Sequence, residues 1–311
     1  MGAPLAFLFP GQGSQAVGMG KALCDQFAVA RQVFADADAA LGFPLSRLCF
    51  DGPMEELTLT ANTQPALLTV SDAMTRVLRE EFGVQAAWGA GHSLGEFSAL
   101  VAAGALRFDD ALRVVRERGR AMQEAVPPGI GAMAAIMGLD ADVVSAVCQE
   151  AAAGEVVSPA NLNGAGQIVI AGHRGAVDRA GAAAKARGAK RVVPLPVSAP
   201  FHCALMQPAA DRLRAVLAAV EVAAPAFPIV ANVDAEPNID AARIKDLLVR
   251  QVTSPVRWDA CVATLARLGC TAAVEVGPGR VLSGLVKRIA PSITCCAADD
   301  LDAVRDLAGT A

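Results

Sequence analysis

No stretch of this sequence reaches the roughly 18 uninterrupted apolar residues that a membrane-spanning helix needs, although hydrophobic types make up 54% of its 311 residues. Much of that fraction is alanine, which fills helices without making them membrane-like. The apolar run Leu5 to Phe9 lacks the basic flank of a secretory signal and stops at Pro10 and a Gly-rich loop. Ala6 stands where a myristoylation signal would carry Ser or Thr. The expectation is a cytoplasmic protein with no membrane partner.

Nor is there an excess of basic charge. Lys and Arg number 27 against 31 Asp and Glu, a net charge of −4 with the signs intermixed. A nucleic-acid binder should carry a basic stripe, so that class is set aside. Eight cysteines include no CxxC pair, which points to reduced, mostly buried thiols and away from a disulfide frame or a metal site. Internal repeats and low-complexity tails are also missing. Histidine is scarce: His92, His173 and His202 are the only three.

What is present alternates short apolar runs with helical patterns, the rhythm of a parallel sheet covered by helices. Leu5 to Phe9 reads as a buried strand, Gly11 to Gln15 as a loop with a helix following to about Phe27. Pro65 to Phe82 reads as a helix and Val84 to Ala90 as a strand. After Pro127-Pro128-Gly129 the rhythm changes. Strands are expected at Met133 to Met137, Val156 to Ala160, Gln167 to Ala171 and Arg191 to Val197, with helices at Ala141 to Ala153 and Ala176 to Arg187. That β-α-β-β-α-β order is the ferredoxin-like unit. The α/β pattern then resumes with a helix after His202, a strand at Ile229 to Val233, helices through Leu268, a strand at Ala272 to Val276 and a final helix after Gly277-Pro278-Gly279. The fold class is α/β, with a large domain at 1–126 and 198–311 and a ferredoxin-like small domain at 127–197 inserted into it.

Gly91-His92-Ser93-Leu94-Gly95 fits G-x-S-x-G between a strand and a helix. A sharp strand-to-helix turn pushes the Ser side chain into the open, and flanking glycines leave room for the strained backbone. The helix N-terminus adds free N–H groups where negative charge develops in acyl transfer. Such a serine needs a base. His92 is too close along a tight turn and suits packing, and His173 sits in a strand-to-helix turn. His202, where the chain returns to the large domain, is the choice. Cys203 beside it points the other way along an extended segment. No Asp or Glu stands out as a third member, so a carbonyl is expected to hold the imidazole tautomer. The loop at Gln12 is not a P-loop, because Gly20-Lys21 lacks both a Gly five residues upstream and a following Ser or Thr.

These pieces resemble the malonyl-CoA:acyl carrier protein transacylase family, the discrete bacterial enzyme and the acyltransferase domains of fatty acid and polyketide synthases. The matching segments are FPGQGSQ (Phe9 to Gln15), GHSLGEFSAL (Gly91 to Leu100), RGRAMQEAVPPGIGAMAAI (Arg118 to Ile136), NLNGAGQIVIAG (Asn161 to Gly172), PVSAPFHCALM (Pro196 to Met206), QVTSPVRW (Gln251 to Trp258) and EVGPGRVLSGL (Glu275 to Leu285). They run in one order over nearly the whole chain.

The resemblance implies an α/β-hydrolase-like large domain with a ferredoxin-like insert, Ser93 as nucleophile and His202 as general base and acid. It further implies an oxyanion hole from the backbone N–H groups of Gln12 and Leu94, and the main-chain carbonyl of Gln251 as the partner of His202 Nδ1–H. Arg118 would bind the free carboxylate of malonyl, a bidentate contact that Lys cannot copy. The Phe201 ring resembles that of malonyl-selective members, leaving little room for a methyl on the acyl chain, and Asn161 either lines the cleft or marks a strand-end turn. Malonyl-CoA is then the substrate, with no permanently bound cofactor, and a phosphopantetheinylated acyl carrier protein the partner of a monomeric enzyme of fatty acid biosynthesis. Lys185, Arg187, Lys190 and Arg191, or else Lys287 and Arg288, could attract that acidic partner or be ordinary solvated surface. The alternatives are a polyketide-type acyltransferase using malonyl-CoA or another acyl-CoA, a serine hydrolase, and a non-catalytic carrier-binding module.

Overall fold

The structure, a computed structural model, describes residues 4–197, 199–299 and 301–308. The first segment runs from β1 (Leu5–Phe9) through α1 (Lys21–Gln26), α2 (Ala28–Leu41), α3 (Leu45–Asp51), α4 (Met54–Thr58) and α5 (Thr60–Glu80). It continues through β2 (Trp88–Gly91), α6 (Leu94–Ala102) and α7 (Phe108–Glu124). A second run holds β3 (Gly131–Met137), α8 (Ala141–Ala151), β4 (Val157–Leu162), β5 (Gln167–His173), α9 (Arg174–Ala186) and β6 (Arg191–Pro194). The last holds α10 (Gln207–Ala218), β7 (Ile229–Val230), β8 (Pro237–Asn238), α11 (Ala241–Thr253) and α12 (Trp258–Arg267). It closes with β9 (Ala272–Glu275), α13 (Val281–Ile289), β10 (Thr294–Ala297) and α14 (Leu301–Ala308).

Two sheets result. The larger has the order β10-β9-β1-β2-β7-β8, with every pair parallel except β7 and β8. β1 lies at its centre and is buried throughout, as expected for an unbroken apolar run between two helical layers. The smaller sheet, β4-β5-β3-β6, is wholly antiparallel, with α8 and α9 packed on it around Ile136, Val147, Ile170 and Val177. This is the ferredoxin-like arrangement, beside a large parallel α/β domain. The small sheet touches the rest of the chain where Asn161 of β4 forms an isolated bridge with Val256, in the loop between α11 and α12, with Leu162 N–H donating to the Val256 carbonyl at 2.8 Å.

Several boundaries differ from those expected. α5 begins at Thr60, not Pro65. Its polar first turn packs so tightly on α7 that a Cβ on Gly119 would come within 2.5 Å of the Thr60 carbonyl, and tertiary contact there overrides the Pro signal. β2 starts only at Trp88, and β7 is two residues long because Ala231 to Ala235 turn back into β8, Ala235 N–H closing on the Ala231 carbonyl. β6 stops at Pro194. The helix after Gly279 is not the last element: α13 is a crossover that brings β10 parallel to β9, and α14 follows. Ser198, where the second large-domain segment was expected to begin, lies outside the described residues.

Candidate active site

β1 and β2 are parallel neighbours, with Phe9 beside Gly91, so the loops that leave them emerge side by side at the carboxyl edge of the sheet. One loop carries Gln12, the other Ser93. Such an edge, where the strand order turns in both directions from β1, is where open α/β sheets form clefts.

The turn into α6 is as tight as the glycine pair suggests. A Cβ on Gly91 would lie 1.9 Å from the Gly95 carbonyl carbon, and one on Gly95 would lie 2.0 Å from the Phe9 oxygen. Ser93 takes φ 53° and ψ −105°, a conformation that L-residues adopt only under constraint. His202 is held at φ 60°. Of the five non-glycine residues at positive φ among those described, these two face one another, while Ala153, Ala165 and Ala235 lie in turns elsewhere.

Ser93 Oγ lies 2.7 Å from His202 Nε2, and His202 Nδ1 lies 2.8 Å from the Gln251 carbonyl oxygen. A carbonyl only accepts, so Nδ1 carries the proton and Nε2 presents its lone pair to the Ser93 hydroxyl. Burial first, and the Arg118 cation second, press the His202 pKa from 6.5 to about 3. The ring is thus neutral and able to accept a proton at physiological pH.

Arg118 is 1% exposed although it carries a charge. It lies on the buried stripe of α7 with Val114, Val115 and Met122. Its Nη1 donates to Gln64 Oε1 at 2.7 Å, while Nη2 donates to Gln251 Oε1 at 2.8 Å and to Ser93 Oγ at 3.2 Å. The Nε–H is buried without a partner. Burial lowers its pKa to about 10, opposed by the charge of Glu96. The neighbouring arginines are surface groups: Arg113 pairs with Asp109 and Asp110, Arg120 with Glu117, and Arg116 stacks on Phe43.

A cavity of about 360 Å³ opens over Ser93, lined by Gln12, Leu94, Arg118, Asn161, Phe201 and His202 among others. Met133, Asn161 and Leu195 bring the small domain into its wall. Of the eight residues singled out from the sequence, seven line this space; Gln251 lies behind it, fully buried. No backbone hydrogen bond among the described residues takes up the Gln12 or Leu94 N–H. Asn161 sits inside β4, not in a turn after it.

The remaining candidates fall away. His92 turns its Nε2 to Asn163 Oδ1 at 2.9 Å and its ring towards Trp258, while the His173 ring accepts from Val156 N–H. The Cys203 thiol points to the Pro200 carbonyl, and burial pushes its pKa up to about 11. Six of the eight cysteines are buried. Among the described residues no group of His, Cys, Asp and Glu could hold a metal, and no helix is long and apolar enough to cross a membrane.

Three polar residues escaped the sequence reading: Gln64, Asn232 and Glu96. Asn232 Oδ1 accepts the Ser93 N–H at 2.8 Å, and its Nδ2 donates to the Gly91 carbonyl at 2.7 Å. Glu96 is 2% exposed, and burial raises its carboxyl to about 7 against the hydrogen bonds of Asn232 and Gln251. Glu96 does stand in the GHSLGEFSAL segment, but nothing in spacing alone marks an interior helix carboxylate as a network member.

The profile described as "Acyl transferase domain" matches residues 6–301. A malonyl CoA-acyl carrier protein transacylase from Salmonella typhimurium is 54% identical over 295 residues, covering 95% of this chain and 96% of its own. An acyl carrier protein S-malonyltransferase from Vibrio cholerae superposes with a TM-score of 0.95 at 51% identity, over 97% of this chain and 100% of that one. A structure described as a type II PKS acyl-carrier protein in complex with its malonyl-transacylase matches with a TM-score of 0.96 at 48% identity, over 99% of this chain and 100% of that one.

Proposed function

The chain belongs to the acyl transferase domain family, and on that premise we propose that it moves a malonyl group from malonyl-CoA to the pantetheine thiol of an acyl carrier protein through a malonyl-serine. The observation that carries this reading is Arg118, a buried guanidinium 3.2 Å from the nucleophile and without a carboxylate partner at hydrogen-bond distance among the described residues. A hydrolase of neutral esters has no use for a buried cation there. A free carboxylate on the acyl group does.

His202 Nε2 takes the Ser93 proton as Oγ attacks the thioester carbon, and the Gln12 and Leu94 N–H groups receive the oxyanion. The C–S bond breaks, and coenzyme A leaves with the proton returned by His202. The carrier thiol then gives its proton to His202, attacks the malonyl ester and restores Ser93. Two half-reactions on one site imply ping-pong kinetics. Asn161 and Phe201 close the acyl pocket, Phe201 leaving little room for a methyl branch. No permanently bound cofactor enters the sequence.

The domain boundaries we propose are 1–126 with 198–311, and 127–197; the small-sheet elements between Gly131 and Pro194 support them. A groove lined by Lys185, Arg174 and Val192 shares Met133, Leu195 and Val197 with the cavity wall, which supports the Lys185 to Arg191 side as the carrier's approach. Arg187 is already paired with Glu150, while Lys185, Lys190 and Arg191 are exposed cations of the same cluster. We place the chain as a cytoplasmic monomer in fatty acid biosynthesis; sedimentation as a dimer would contradict the oligomeric part.

The test is to load the protein with malonyl-CoA, remove free nucleotide, add phosphopantetheinylated carrier protein and follow both intact masses. The malonyl mass should leave this chain and arrive on the carrier. Release as free malonate at the same rate with or without carrier would instead mark a hydrolase.

A further inference from the structure

The Glu96 carboxylate is buried in the first turn of α6, yet no cation among the described residues donates to it. Its Oε2 accepts from the Asn232 N–H at 2.9 Å and from Gln251 Nε2 at 2.8 Å. The same Gln251 Nε2 donates to the Ser93 carbonyl at 3.0 Å and to Asn232 Oδ1 at 3.2 Å. One carboxylate oxygen thus ties together three separate stretches of chain: the turn after β2, the turn after β7 and the end of α11.

The chemistry of these groups fixes how the two amides must face. Arg118 can only donate, so Gln251 must present Oε1 to it and Nε2 to the opposite side. The groups on that side are all acceptors, and Glu96 Oε2 offers Nε2 the shortest of its three contacts. The Ser93 N–H likewise requires Oδ1 of Asn232, which leaves Nδ2 for the Gly91 carbonyl. An acceptor oxygen at the Glu96 position, which Oε2 supplies whether or not the other oxygen carries a proton, makes both orientations self-consistent. Gln251 meanwhile supplies the carbonyl that orients His202 and the side-chain oxygen that orients Arg118.

We propose that Glu96 is a positioning residue for acyl transfer: through Gln251 and Asn232 it holds nucleophile, base and carboxylate clamp in one register, without touching the acyl group. The proposal rests on Ser93 acting as the malonyl-accepting nucleophile. The working element is the reach of the acceptor oxygen rather than its charge.

Two conservative variants separate reach from charge. Glu96→Gln keeps an acceptor oxygen at the same distance and removes the charge. Glu96→Asp keeps the charge and withdraws the oxygen by about one carbon–carbon bond, roughly 1.5 Å. The readout is the first-order rate of malonyl-adduct formation at saturating malonyl-CoA, by rapid-quench intact mass, with thermal melts alongside. Glu96→Asp is expected to slow loading roughly tenfold or more, because misplacement on the ångström scale costs that much in oriented sites. Glu96→Gln should stay within about threefold of the parent chain. The reverse order, or Glu96→Asp loading within about threefold of the parent, overturns the proposal. An adduct that persists in Ser93→Ala would overturn the nucleophile reading instead, a result the Glu96 variants cannot mimic.

Discussion

Arg118 Nη2 lies 3.2 Å from Ser93 Oγ. If Ser93 Oγ is the attacking oxygen, as we propose, a cation so near it can meet a carboxylate only if that carboxylate is close to the carbon under attack. In a malonyl group one methylene separates them, roughly 2.5 Å between carbon centres from two bonds of about 1.5 Å. A succinyl group is one methylene longer, and an acetyl group has no carboxylate. Loading from succinyl-CoA and from acetyl-CoA is therefore expected to be roughly 10²-fold or more slower than from malonyl-CoA, by adduct formation at equal concentrations.

Truncating the clamp should reverse part of that preference. Arg118→Ala removes a buried charge-assisted contact to the substrate, which costs about 3–5 kcal/mol, or roughly two to four decades in kcat/KM for malonyl-CoA. Arg118→Lys should recover little, because one ammonium cannot span Gln64, Gln251 and a carboxylate together. Steady-state kinetics with malonyl-CoA and acetyl-CoA check both. An Arg118→Ala enzyme that loads malonyl at the parent rate would remove the carboxylate argument.

In the proposed mechanism His202 sets the pH behaviour. Its pKa is depressed from 6.5 to about 3, by burial first and by Arg118 second. The base form therefore persists far below pH 6.5, and loading should show no acid limb assignable to this imidazole near that pH. The unfolded chain takes up a proton near 6.5 that the folded ring refuses. Its stabilising contribution is thus complete above pH 6.5 and lost as pH falls towards 3. Urea midpoints from pH 7 to 4 should fall more steeply for the parent chain than for His202→Ala, whose loading rate should drop roughly 10²–10⁴-fold.

The glycines of the serine turn make a purely steric prediction. A methyl at Gly91 or Gly95 meets backbone at about 2 Å, whereas Gly284 has open space around it. Gly91→Ala and Gly95→Ala should destabilise by about 1–3 kcal/mol or more and abolish loading. Gly284→Ala, inside α13, should be neutral or stabilise by up to about 1 kcal/mol. Denaturant titration of the three variants settles the comparison.

For the carrier protein, the double charge reversal Lys190→Glu with Arg191→Glu should weaken transfer to an acidic carrier and flatten its salt dependence, while malonyl loading stays unchanged. An unaltered carrier KM across salt concentrations would move the docking surface elsewhere, with Lys287 and Arg288 on α13 next to test.

How much of this was legible in the sequence depends on the kind of signal. Ser93 was visible because its steric demand forces glycine on both sides, and His202 because the histidines are so few. Arg118 was singled out by the family resemblance alone among the four arginines from Arg113 to Arg120; its spacing after Val114 and Val115, which puts a charge on an apolar stripe, is a signal that the resemblance did not use. Gln64, Asn232 and Glu96 carried none. Each is an ordinary polar residue whose importance comes from distant partners, such as Gln251, 155 positions from Glu96. The same physics explains the misplaced boundaries. The first turn of α5 exists because α7 packs on it, and β10 exists because β9 offers a free edge, so neither could be read from its own residues.

The most direct test of the whole account is an intact-mass competition between malonyl-CoA and acetyl-CoA, with Ser93→Ala as control. A malonyl adduct that dominates on the parent chain and vanishes in the variant is the predicted result. No adduct at all, or one that survives in Ser93→Ala, would contradict the mechanism; a dominant acetyl adduct would keep Ser93 and overturn the role given to Arg118.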